Sequence, residues 1–434
     1  MDIDIPRLHI ADSRGEIIDC PEFAWLGMAG PECSLPESWI PLPEGSELFT
    51  LPGRLPLGWD EENGRPAVVE NYCGEQAQAV AAFIAPAHTS LMRPAFERLP
   101  GAPILPLYCY TAVGWLDDHF VVPAVRIDKD KRQDCRTFSE TKVRQGAARI
   151  KKIYKNNRLA QHLMDNCCLT YRCPAARNYA LGRWEMPLPT SRACNSHCLG
   201  CISFQPGDHV CASQNRIAFT PTAEEIAQLV LDHFASAEKP VASFGQGCEG
   251  EPLTEADVIA ESIRMIRAKT PYGTITLNTN GGLTEKLEQV IDAGLDSVRI
   301  SLNSARPEYY EAYCHPAFGF EDVLNSIRLA RNNGVFVSLN YFVFPGFTDQ
   351  VGEYEALRKI LEDPGVDLIQ WRNLNIDPDW YIETLNIRTE EPAMGMLALM
   401  DRVREDFPDV RFGYYNPFLG KEDPARKTDK KSKK

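Results

Sequence analysis

The sequence lacks a hydrophobic run long enough to cross a lipid bilayer. The longest apolar stretch near the amino terminus covers only residues 77–87 and includes Pro86, whereas a spanning helix needs about 20 apolar residues. The opening residues also lack the basic and apolar regions of a signal peptide. We therefore expect a cytoplasmic protein that does not associate with a membrane.

The chain also lacks an excess of positive charge. Its 46 Lys and Arg residues face 60 Asp and Glu residues, which gives a formal net charge of −14. A protein that binds nucleic acid over its whole surface needs Lys and Arg to neutralise phosphates, so this balance argues against that class. The hydrophobic share of 44% is ordinary for a globular protein, and 434 residues predict two or three domains.

One segment departs from the acidic average. Residues 126–158 hold twelve Lys or Arg residues against four acidic ones. The simpler interpretation is a solvated helix that joins two domains, since charge runs commonly form such surfaces. The alternative is a contact surface for an anionic substrate, RNA included, although no RNA-binding module is evident.

Composition and pattern divide the chain into five parts. The expected divisions are an N-terminal mixed or β-rich domain of unknown function (1–125), a basic, Cys-containing connecting region (126–182), a barrel core (183–385), a C-terminal helix and strand (386–420) and a basic disordered tail (421–434).

The region from residue 183 onward alternates between two patterns. Apolar or β-branched runs predict strands at 183–188, 241–244, 274–278, 297–302, 335–343 and 367–371. Amphipathic segments between them predict helices at 254–269, 284–293, 321–332 and 354–362, the first with Thr254 and Asp257 as a capping box. Strands that alternate with helices imply an α/β fold with a parallel sheet, closed or partly closed.

Cysteine is abundant, with 14 residues, and one group has a distinctive spacing. Cys194, Cys198 and Cys201 follow the first predicted strand as C-x3-C-x2-C. A loop this tight can hold three corners of a cubane iron–sulfur cluster and leave the fourth iron open. The alternatives are unrelated cysteines or part of a zinc site, but zinc would need a fourth close ligand, and His197 is too near in sequence to serve easily.

This triad, at the head of a βα alternation, resembles the radical S-adenosylmethionine (SAM) superfamily over residues 183–375. The resemblance implies a partial (β/α)6 TIM-like barrel, a [4Fe–4S] cluster on the triad and SAM on its open iron. In that family, one electron entering the cluster cleaves SAM to methionine and a 5′-deoxyadenosyl radical, which abstracts hydrogen from the substrate. A reductant such as flavodoxin or ferredoxin is therefore an implied partner. Gly200 departs from the family, which usually has an aromatic residue before the third cysteine.

A glycine pattern after the second strand has two interpretations. Gly245, Gly247 and Gly250 form G-x-G-x-x-G, which is typical of dinucleotide-binding loops. A pyrophosphate needs free N–H groups and positive potential at such a loop. Two glutamates and a proline within it argue against this, so an NAD-dependent oxidoreductase is a weak alternative.

The same loop resembles the Gly-Gly-Glu-Pro type motif of the radical SAM family. Gly250, Glu251 and Pro252 match its last three positions, and Glu249 replaces the first glycine. The resemblance implies that these residues lie near the amino group of SAM. Glu251 would act through its side chain or by fixing the loop, and the sequence leaves both open.

Polar residues at later strand ends extend the resemblance. Asn280 follows the third strand, and Arg299, Ser301 and Asn303 share one face of the fourth. By resemblance, Arg299 contacts the SAM carboxylate, and Ser301 or Asn303 the ribose. The alternative for Arg299 is an ion pair inside the barrel. Residues that place further polar groups in the barrel are Asn340, Gln370 and Arg372.

The remaining cysteines leave open whether the chain binds a second iron–sulfur cluster. Cys167, Cys168, Cys173 and Cys211 raise an auxiliary iron–sulfur cluster as a hypothesis, against the common packing of free thiols. No cysteine follows Cys314, so the C-terminal Cys-rich extension of many peptide-modifying relatives is absent.

The sequence thus predicts a radical SAM enzyme whose substrate, a metabolite, a peptide or an RNA, is unidentified. The alternative is a non-catalytic iron–sulfur protein for electron transfer or sensing. It would need the cluster but not the SAM-binding residues.

Overall fold

The computed structural model describes residues 5–207 and 210–420. The expected tail, residues 421–434, lies outside the described residues. No helix in the described part combines the length and the apolar character that crossing a membrane would require.

The N-terminal part is β-rich and antiparallel, with one ten-stranded sheet and three small ones. Its strands are β1 (Arg7–Ala11), β2 (Ile17–Ala24), β3 (Gly27–Met28), β4 (Cys33–Ser34), β5 (Ile40–Pro41), β6 (Glu47–Leu51), β7 (Arg54–Asp60), β8 (Arg65–Val68), β9 (Asn71–Tyr72), β10 (Glu75–Gln76), β11 (Gln78–Phe83), β12 (His88–Ser90), β13 (Arg93–Pro94), β14 (Phe96–Arg98), β15 (Gly114–Leu116), β16 (His119–Val122) and β17 (Ala124–Arg126).

The second half forms a parallel α/β sheet whose strands follow chain order, as in a partial TIM-like barrel. Its strands are β18 (Glu185–Leu188), β19 (Val241–Phe244), β20 (Thr274–Thr279), β21 (Ser297–Leu302), β22 (Phe336–Val343), β23 (Leu368–Asn373) and β24 (Arg411–Gly413). The six strands expected from the sequence are present, with bounds that differ by at most two residues. The seventh, β24, lies in residues 386–420, where the sequence predicted a helix and a strand without giving their bounds.

Helices connect and cover these strands. They are α1 (Glu140–Ile153), α2 (Arg158–His162), α3 (Pro174–Ala180), α4 (Ala223–Ser236), α5 (Ala256–Arg267), α6 (Thr284–Asp292), α7 (Pro307–Cys314), α8 (Phe320–Asn332), α9 (Val351–Glu362), α10 (Pro378–Leu385) and α11 (Met396–Asp406). Short 3-10 turns span Cys135–Thr137 and Pro252–Glu255, and a π-helix spans Leu163–Thr170.

The capping box expected at Thr254 and Asp257 was wrong. Pro252 begins a 3-10 turn, so α5 starts only at Ala256, without a side-chain cap. The Thr254 hydroxyl instead donates to the Glu251 carbonyl at 2.8 Å. The local turn therefore uses the hydroxyl that the sequence pattern assigned to the helix.

The parallel sheet has two chemically different faces, because successive side chains in a strand point to opposite sides. One face is apolar and lies under the helices, with Leu277, Ile300, Leu339 and Ile369 fully buried in the main core. The other face is polar and lines the concave inner side, here called the lumen. Its residues include Thr276, Asn278, Arg299, Ser301, Ser338, Asn340, Gln370 and Arg372.

The basic segment packs against the barrel by one side only. Val143, Ala147 and Ile150 of α1 are buried in the main core, whereas basic residues such as Arg144 are exposed. The helix begins at Ser139, whose hydroxyl accepts a hydrogen bond from Lys142 N. Residues 140–153 of the segment therefore form an amphipathic helix whose charged face is solvated.

The N-terminal sheets meet the barrel at the edge of β23. Strand β24 pairs only with the first half of β23, residues 368–370. Beyond it, the Thr89 hydroxyl donates to the Trp371 carbonyl at 2.8 Å, and Ser90 N donates to Asn373 Oδ1 at 2.8 Å. Residues of β12 thus cover the second half of this edge.

The chain after β24 crosses the lumen at the amino ends of the strands. The Asn416 side chain donates to Glu185 on β18 and to Ser243 on β19, both at 2.8 Å. Gln370 on β23 donates to the Tyr415 carbonyl at 3.2 Å. This segment therefore connects the last strands of the sheet to the first two.

Candidate functional site

Three loops meet at the carboxyl ends of the first three barrel strands. Residues 191–203, here called the cysteine loop, follow β18. Residues 245–252, the glutamate loop, follow β19, and the turn at residues 279–281 follows β20. Neighbouring parallel strands place these ends at one edge, where α/β proteins commonly bind ligands.

The cysteine loop and the glutamate loop are joined by backbone hydrogen bonds. Gly250 N donates to the Ser191 carbonyl and Glu251 N to the Ala193 carbonyl, each at 2.8 Å. A Cβ atom on residue 250 would lie 1.8 Å from the Ala193 carbonyl oxygen. Only glycine permits this approach, which holds the glutamate loop against the residue before Cys194.

The cysteine loop is also fixed from two other directions. Asn280 donates through its side chain to Asn195 Oδ1 at 2.7 Å and to Ser196 Oγ at 3.2 Å. His197 N donates to the Cys314 carbonyl at 2.9 Å, at the end of α7. The loop is therefore positioned by the turn after β20 and by α7.

Glu249 holds the two loops from inside. Its buried carboxylate accepts hydrogen bonds from four backbone N–H groups, those of Thr190, Ser191, Gly245 and Gln246, at 2.7 to 2.9 Å. Burial raises the pKa of Glu249 to about 7, against the opposing effect of these donors. The residue that departs from the family motif thus acts as a clamp.

This clamp also excludes the dinucleotide interpretation of the glycine pattern. A pyrophosphate would need the N–H groups at the start of the loop. The N–H groups of Gly245 and Gln246 already donate to Glu249.

The carboxylate of Glu251, like that of Glu249, accepts hydrogen bonds from neighbouring protein groups. Its carboxylate accepts from the Thr279 hydroxyl at 2.6 Å, from Asn280 N at 2.9 Å and from Leu253 N at 3.1 Å. It is 3% exposed, and burial raises its pKa to about 7. Of the two roles left open by the sequence, these contacts favour fixing the loop.

The three loop thiols, Cys194, Cys198 and Cys201, are half-buried. Burial raises the pKa of Cys194 to about 11, and a hydrogen bond with Cys314 raises that of Cys198. Arg216 donates to the Cys201 sulfur at 3.7 Å. The sequence did not indicate Cys314 or Arg216, because neither belongs to a motif.

The loop thiols suit an iron–sulfur cluster by their chemistry. Iron–sulfur clusters take Cys thiolates as ligands, and these three thiols lie on one loop beside a polar lumen. Within residues 5–207 and 210–420, no three His, Cys, Asp or Glu side chains are arranged to hold a single metal ion.

Gly200, the departure before the third cysteine, has a structural explanation. A Cβ atom there would lie 2.7 Å from the Tyr313 hydroxyl and 3.1 Å from the Asn375 carbonyl oxygen. Tyr313 is buried, and its carbonyl accepts from Leu199 N at 2.8 Å. An aromatic ring from α7 thus occupies the space beside residue 200.

The strand residues singled out in the sequence differ in what they contact. Arg299 donates to Gln370 Oε1 at 2.8 Å, and Ser301 Oγ accepts from the Asn340 side chain at 3.0 Å. Both therefore face the lumen. Asn303 is buried, and its amide donates to the Tyr309 carbonyl and to the Tyr381 hydroxyl, which commits that group to α7 and α10.

Several lumen atoms lack hydrogen-bond partners among the described residues. Such atoms are costly in a protein interior unless a ligand or water pairs with them. They are Thr276 Oγ1, Asn278 Oδ1, Arg299 Nε, Ser338 Oγ and Asn340 Oδ1. The five atoms lie on three adjacent strands, β20, β21 and β22.

The other cysteines form a different kind of group. Cys167, Cys168 and Cys248, here called the core thiols, are buried in the hydrophobic core. The Cys167 and Cys248 sulfurs lie 3.9 Å apart. Cys173 is half-buried against the same core, whereas Cys211 is exposed. The four cysteines considered for an auxiliary cluster are therefore dispersed between core and surface.

Part of the chain is similar to known proteins. Residues 188–356 match the model of the Radical SAM superfamily. The chain is similar to GTP 3′,8-cyclase of Aquifex aeolicus (strain VF5), with 29% identity over 43% of this chain and 56% of that protein. It is also similar to the FeMo cofactor biosynthesis protein NifB of Klebsiella pneumoniae, with 25% identity over 40% of each.

Among solved structures, the native enzyme anSMEcpe with bound AdoMet matches with a TM-score of 0.35 and 17% identity, over 43% of this chain and 51% of that one. The chain spans about half the length of the curated relatives it matches. The family match covers the cysteine loop, the glutamate loop and the strands from β19 to β22. The family match expected from the sequence is therefore confirmed over residues 188–356.

Proposed function

We propose that the chain is a radical SAM enzyme that cleaves SAM reductively in order to abstract hydrogen from a substrate not yet identified. The [4Fe–4S] cluster would be held by Cys194, Cys198 and Cys201. The observation that carries the proposal is the joining of the cysteine loop to the glutamate loop by backbone hydrogen bonds, beside a lumen with unpaired polar atoms. When bound, the cluster and SAM supply the electron transfer and the radical chemistry.

The protein's own contribution is to orient these groups. Glu249 and Glu251 hold the loop backbones in place, and Gly250 allows their close approach. Asn280 fixes the cysteine loop from the third strand. In this proposal, Gly250, Glu251, Pro252 and Asn280 shape the side of the site that receives SAM, and Glu251 acts through the loop.

The lumen residues would complete the SAM site. The Arg299 guanidinium keeps an unpaired Nε and suits a carboxylate, and the Ser301 hydroxyl lies one position further along the same face. Asn303 keeps an unpaired Oδ1, although its amide nitrogen is committed elsewhere. We retain all three as SAM-contacting residues in the proposal.

The competing function is an iron–sulfur protein without catalysis. Such a protein needs the loop thiols but gains nothing from a polar lumen. Burying polar atoms without partners destabilises a fold, so their presence favours a chain that binds a ligand there. We therefore place the enzyme first and the electron-transfer or sensor protein second.

Two further parts of the proposal concern the surroundings. An electron donor such as flavodoxin or ferredoxin would supply the reducing equivalent. We also propose the cytoplasm as the compartment, because none of the described cysteines forms a disulfide and reducing compartments keep thiols free.

The test is anaerobic purification, cluster reconstitution and incubation with dithionite and SAM. We expect about four irons per chain and the formation of 5′-deoxyadenosine. Protein that loads the cluster but leaves SAM intact would support the non-catalytic alternative. Protein that binds zinc alone, without iron–sulfur absorption, would reject both.

A further inference from the structure

The lumen carries a second arginine that the SAM site does not use. Arg372 lies on the inner face of β23, two residues beyond Gln370. Its guanidinium stacks on Tyr414, 4.5 Å from the ring centre. It has no hydrogen-bond or ion-pair partner among the described residues. A guanidinium presents five donors, and stacking satisfies none of them.

The nearby charges do not balance. Arg299 donates through one nitrogen to Gln370, while its Nε is buried without a partner in the described chain. Burial first, and then the positive charge of Arg372, lower the pKa of Arg299 to about 9. The carboxylate of Glu185 already accepts from Ser243 and Asn416. The carboxylate of Glu185 acts on Arg299, and no carboxylate pairs with Arg372 among the described residues, which leaves Arg372 available to an anionic ligand.

Arg372 also lies apart from the three loops that shape the SAM site. Those loops follow β18, β19 and β20, whereas Arg372 is near the carboxyl end of β23. Its neighbour Asn373 accepts from Ser90 N and donates to the His88 carbonyl at 3.1 Å. The arginine therefore stands where the lumen meets the N-terminal sheets.

We infer that Arg372 binds an anionic group, a phosphate or a carboxylate, on the substrate of the radical SAM reaction. This inference rests on the proposed function. Guanidinium groups bind the oxygens of both anions through paired charge-assisted hydrogen bonds. The anion of the substrate would lie at β23, with the reacting carbon facing the cysteine loop.

The test measures anion binding by the reconstituted, SAM-saturated protein. Inorganic phosphate and acetate, titrated separately by calorimetry, are the probes for the two possible groups. We expect the wild type to bind at least one of them. Arg372→Gln should weaken that binding by at least about tenfold, because it removes a charge-assisted contact. The anion affinity of Arg372→Lys should fall between those of the wild type and Arg372→Gln, because lysine keeps the positive charge but lacks the planar guanidinium.

The matched control is Arg411→Gln. Arg411 also stacks on an aromatic ring of the barrel, 4.7 Å from the centre of Phe336, but it is exposed on β24. The Arg411→Gln variant should bind the anion with the same affinity as the wild type. Equal losses in the Arg372 and Arg411 variants, or no anion binding by the wild type, would overturn the inference.

Two readouts separate this inference from the proposed function. SAM affinity in Arg372→Gln should equal that of the wild type, and a loss of SAM affinity with retained anion binding would overturn the inference by assigning Arg372 to SAM. The wild type should form 5′-deoxyadenosine with dithionite whether or not phosphate is present. Absence of that product rejects the proposed function, whereas product without Arg372-dependent anion binding rejects only this inference.

Discussion

The two groups of cysteines in this chain differ in their surroundings. Burial raises the pKa of Cys194 among the loop thiols and of Cys168 among the core thiols to about 11 in each case. The loop thiols are half-buried beside a polar lumen, whereas the core thiols pack among apolar side chains. Access and neighbouring loops therefore distinguish a candidate ligand from a packing residue.

The strongest test of this difference exchanges one thiol from each group. Cys198→Ala should abolish cluster loading and SAM cleavage, because each loop thiol would hold one corner of the cubane. Cys167→Ala should keep about four irons per chain. The measurement is iron and sulfide content after anaerobic reconstitution. A drop from about eight irons to about four in Cys167→Ala would show instead that the core thiols hold an auxiliary cluster.

A second variant leaves every thiol in place and disturbs only the contact between loops. Gly250→Ala would put a Cβ atom 1.8 Å from the Ala193 carbonyl oxygen, so the backbone must move. Overpacking of this kind costs about 1–3 kcal/mol. We expect lower iron retention and weaker SAM binding, measured on the same preparation. Gly334→Ala is the control, since a Cβ atom there meets open space.

Because its φ is positive, Gly334→Ala carries backbone strain of its own. It should lower the free energy of unfolding but leave iron content unchanged. Full iron retention in Gly250→Ala would mean that the contact between the two loops does not position the loop thiols.

A third variant tests the carboxylate that joins the glutamate loop to the turn after β20. Glu251→Gln keeps the shape but places an amide N–H group against a backbone or hydroxyl donor. A buried donor left unpaired costs about 1–3 kcal/mol, so we expect the cluster to load while SAM binding weakens roughly tenfold. Titration of SAM, followed by the electron paramagnetic resonance of the reduced cluster, measures this.

The unfolding temperature of the SAM-free protein separates the two roles of Glu251. Fixing the loop predicts that Glu251→Gln lowers this temperature before SAM is added. A direct contact with the SAM amino group predicts weaker binding with no change in the unfolding temperature. If Glu251→Gln changed neither the SAM affinity nor the unfolding temperature, both roles would be contradicted.

The smallest effect is expected in the core itself. Cys248→Ala removes a buried sulfur 3.9 Å from Cys167, and buried substitutions of this size cost about 1–2 kcal/mol. Chemical denaturation should detect this loss, with iron content and SAM affinity unchanged. Impaired SAM cleavage would instead give Cys248, which lies on the glutamate loop, a role in the site.

The sequence predicted the elements that carry strong local patterns. Six barrel strands were identifiable because apolar runs fill the buried face, and the cysteine loop because its three thiols lie within eight residues. Strand β24 was expected only as a strand somewhere in residues 386–420, since three residues beginning with an exposed Arg411 give no pattern that fixes its bounds. The start of α5 was misplaced because a turn at Pro252 precedes it.

The contacts that position the site could not be predicted from local sequence patterns. Glu249 was taken only as a departure from the motif, although its carboxylate joins the ends of β18 and β19. Tyr313 and Cys314 lie more than a hundred residues from the cysteine loop in sequence, and only the fold brings α7 against it. Such partners follow from tertiary packing, which no residue spacing encodes.

The crossing of the lumen by residues 414–419 has a consequence for biosynthesis. Glu185 leaves the ribosome more than two hundred residues before Asn416, its partner in the folded chain. Synthesis proceeds at roughly 5–20 residues per second, so the nascent barrel spends on the order of ten seconds with these lumen groups hydrated and its first strands unclosed. Contacts this distant in sequence also slow folding. Iron delivered during translation would therefore meet a barrel whose lumen is still open at the amino ends of its strands, whereas iron delivered after release would meet the folded barrel.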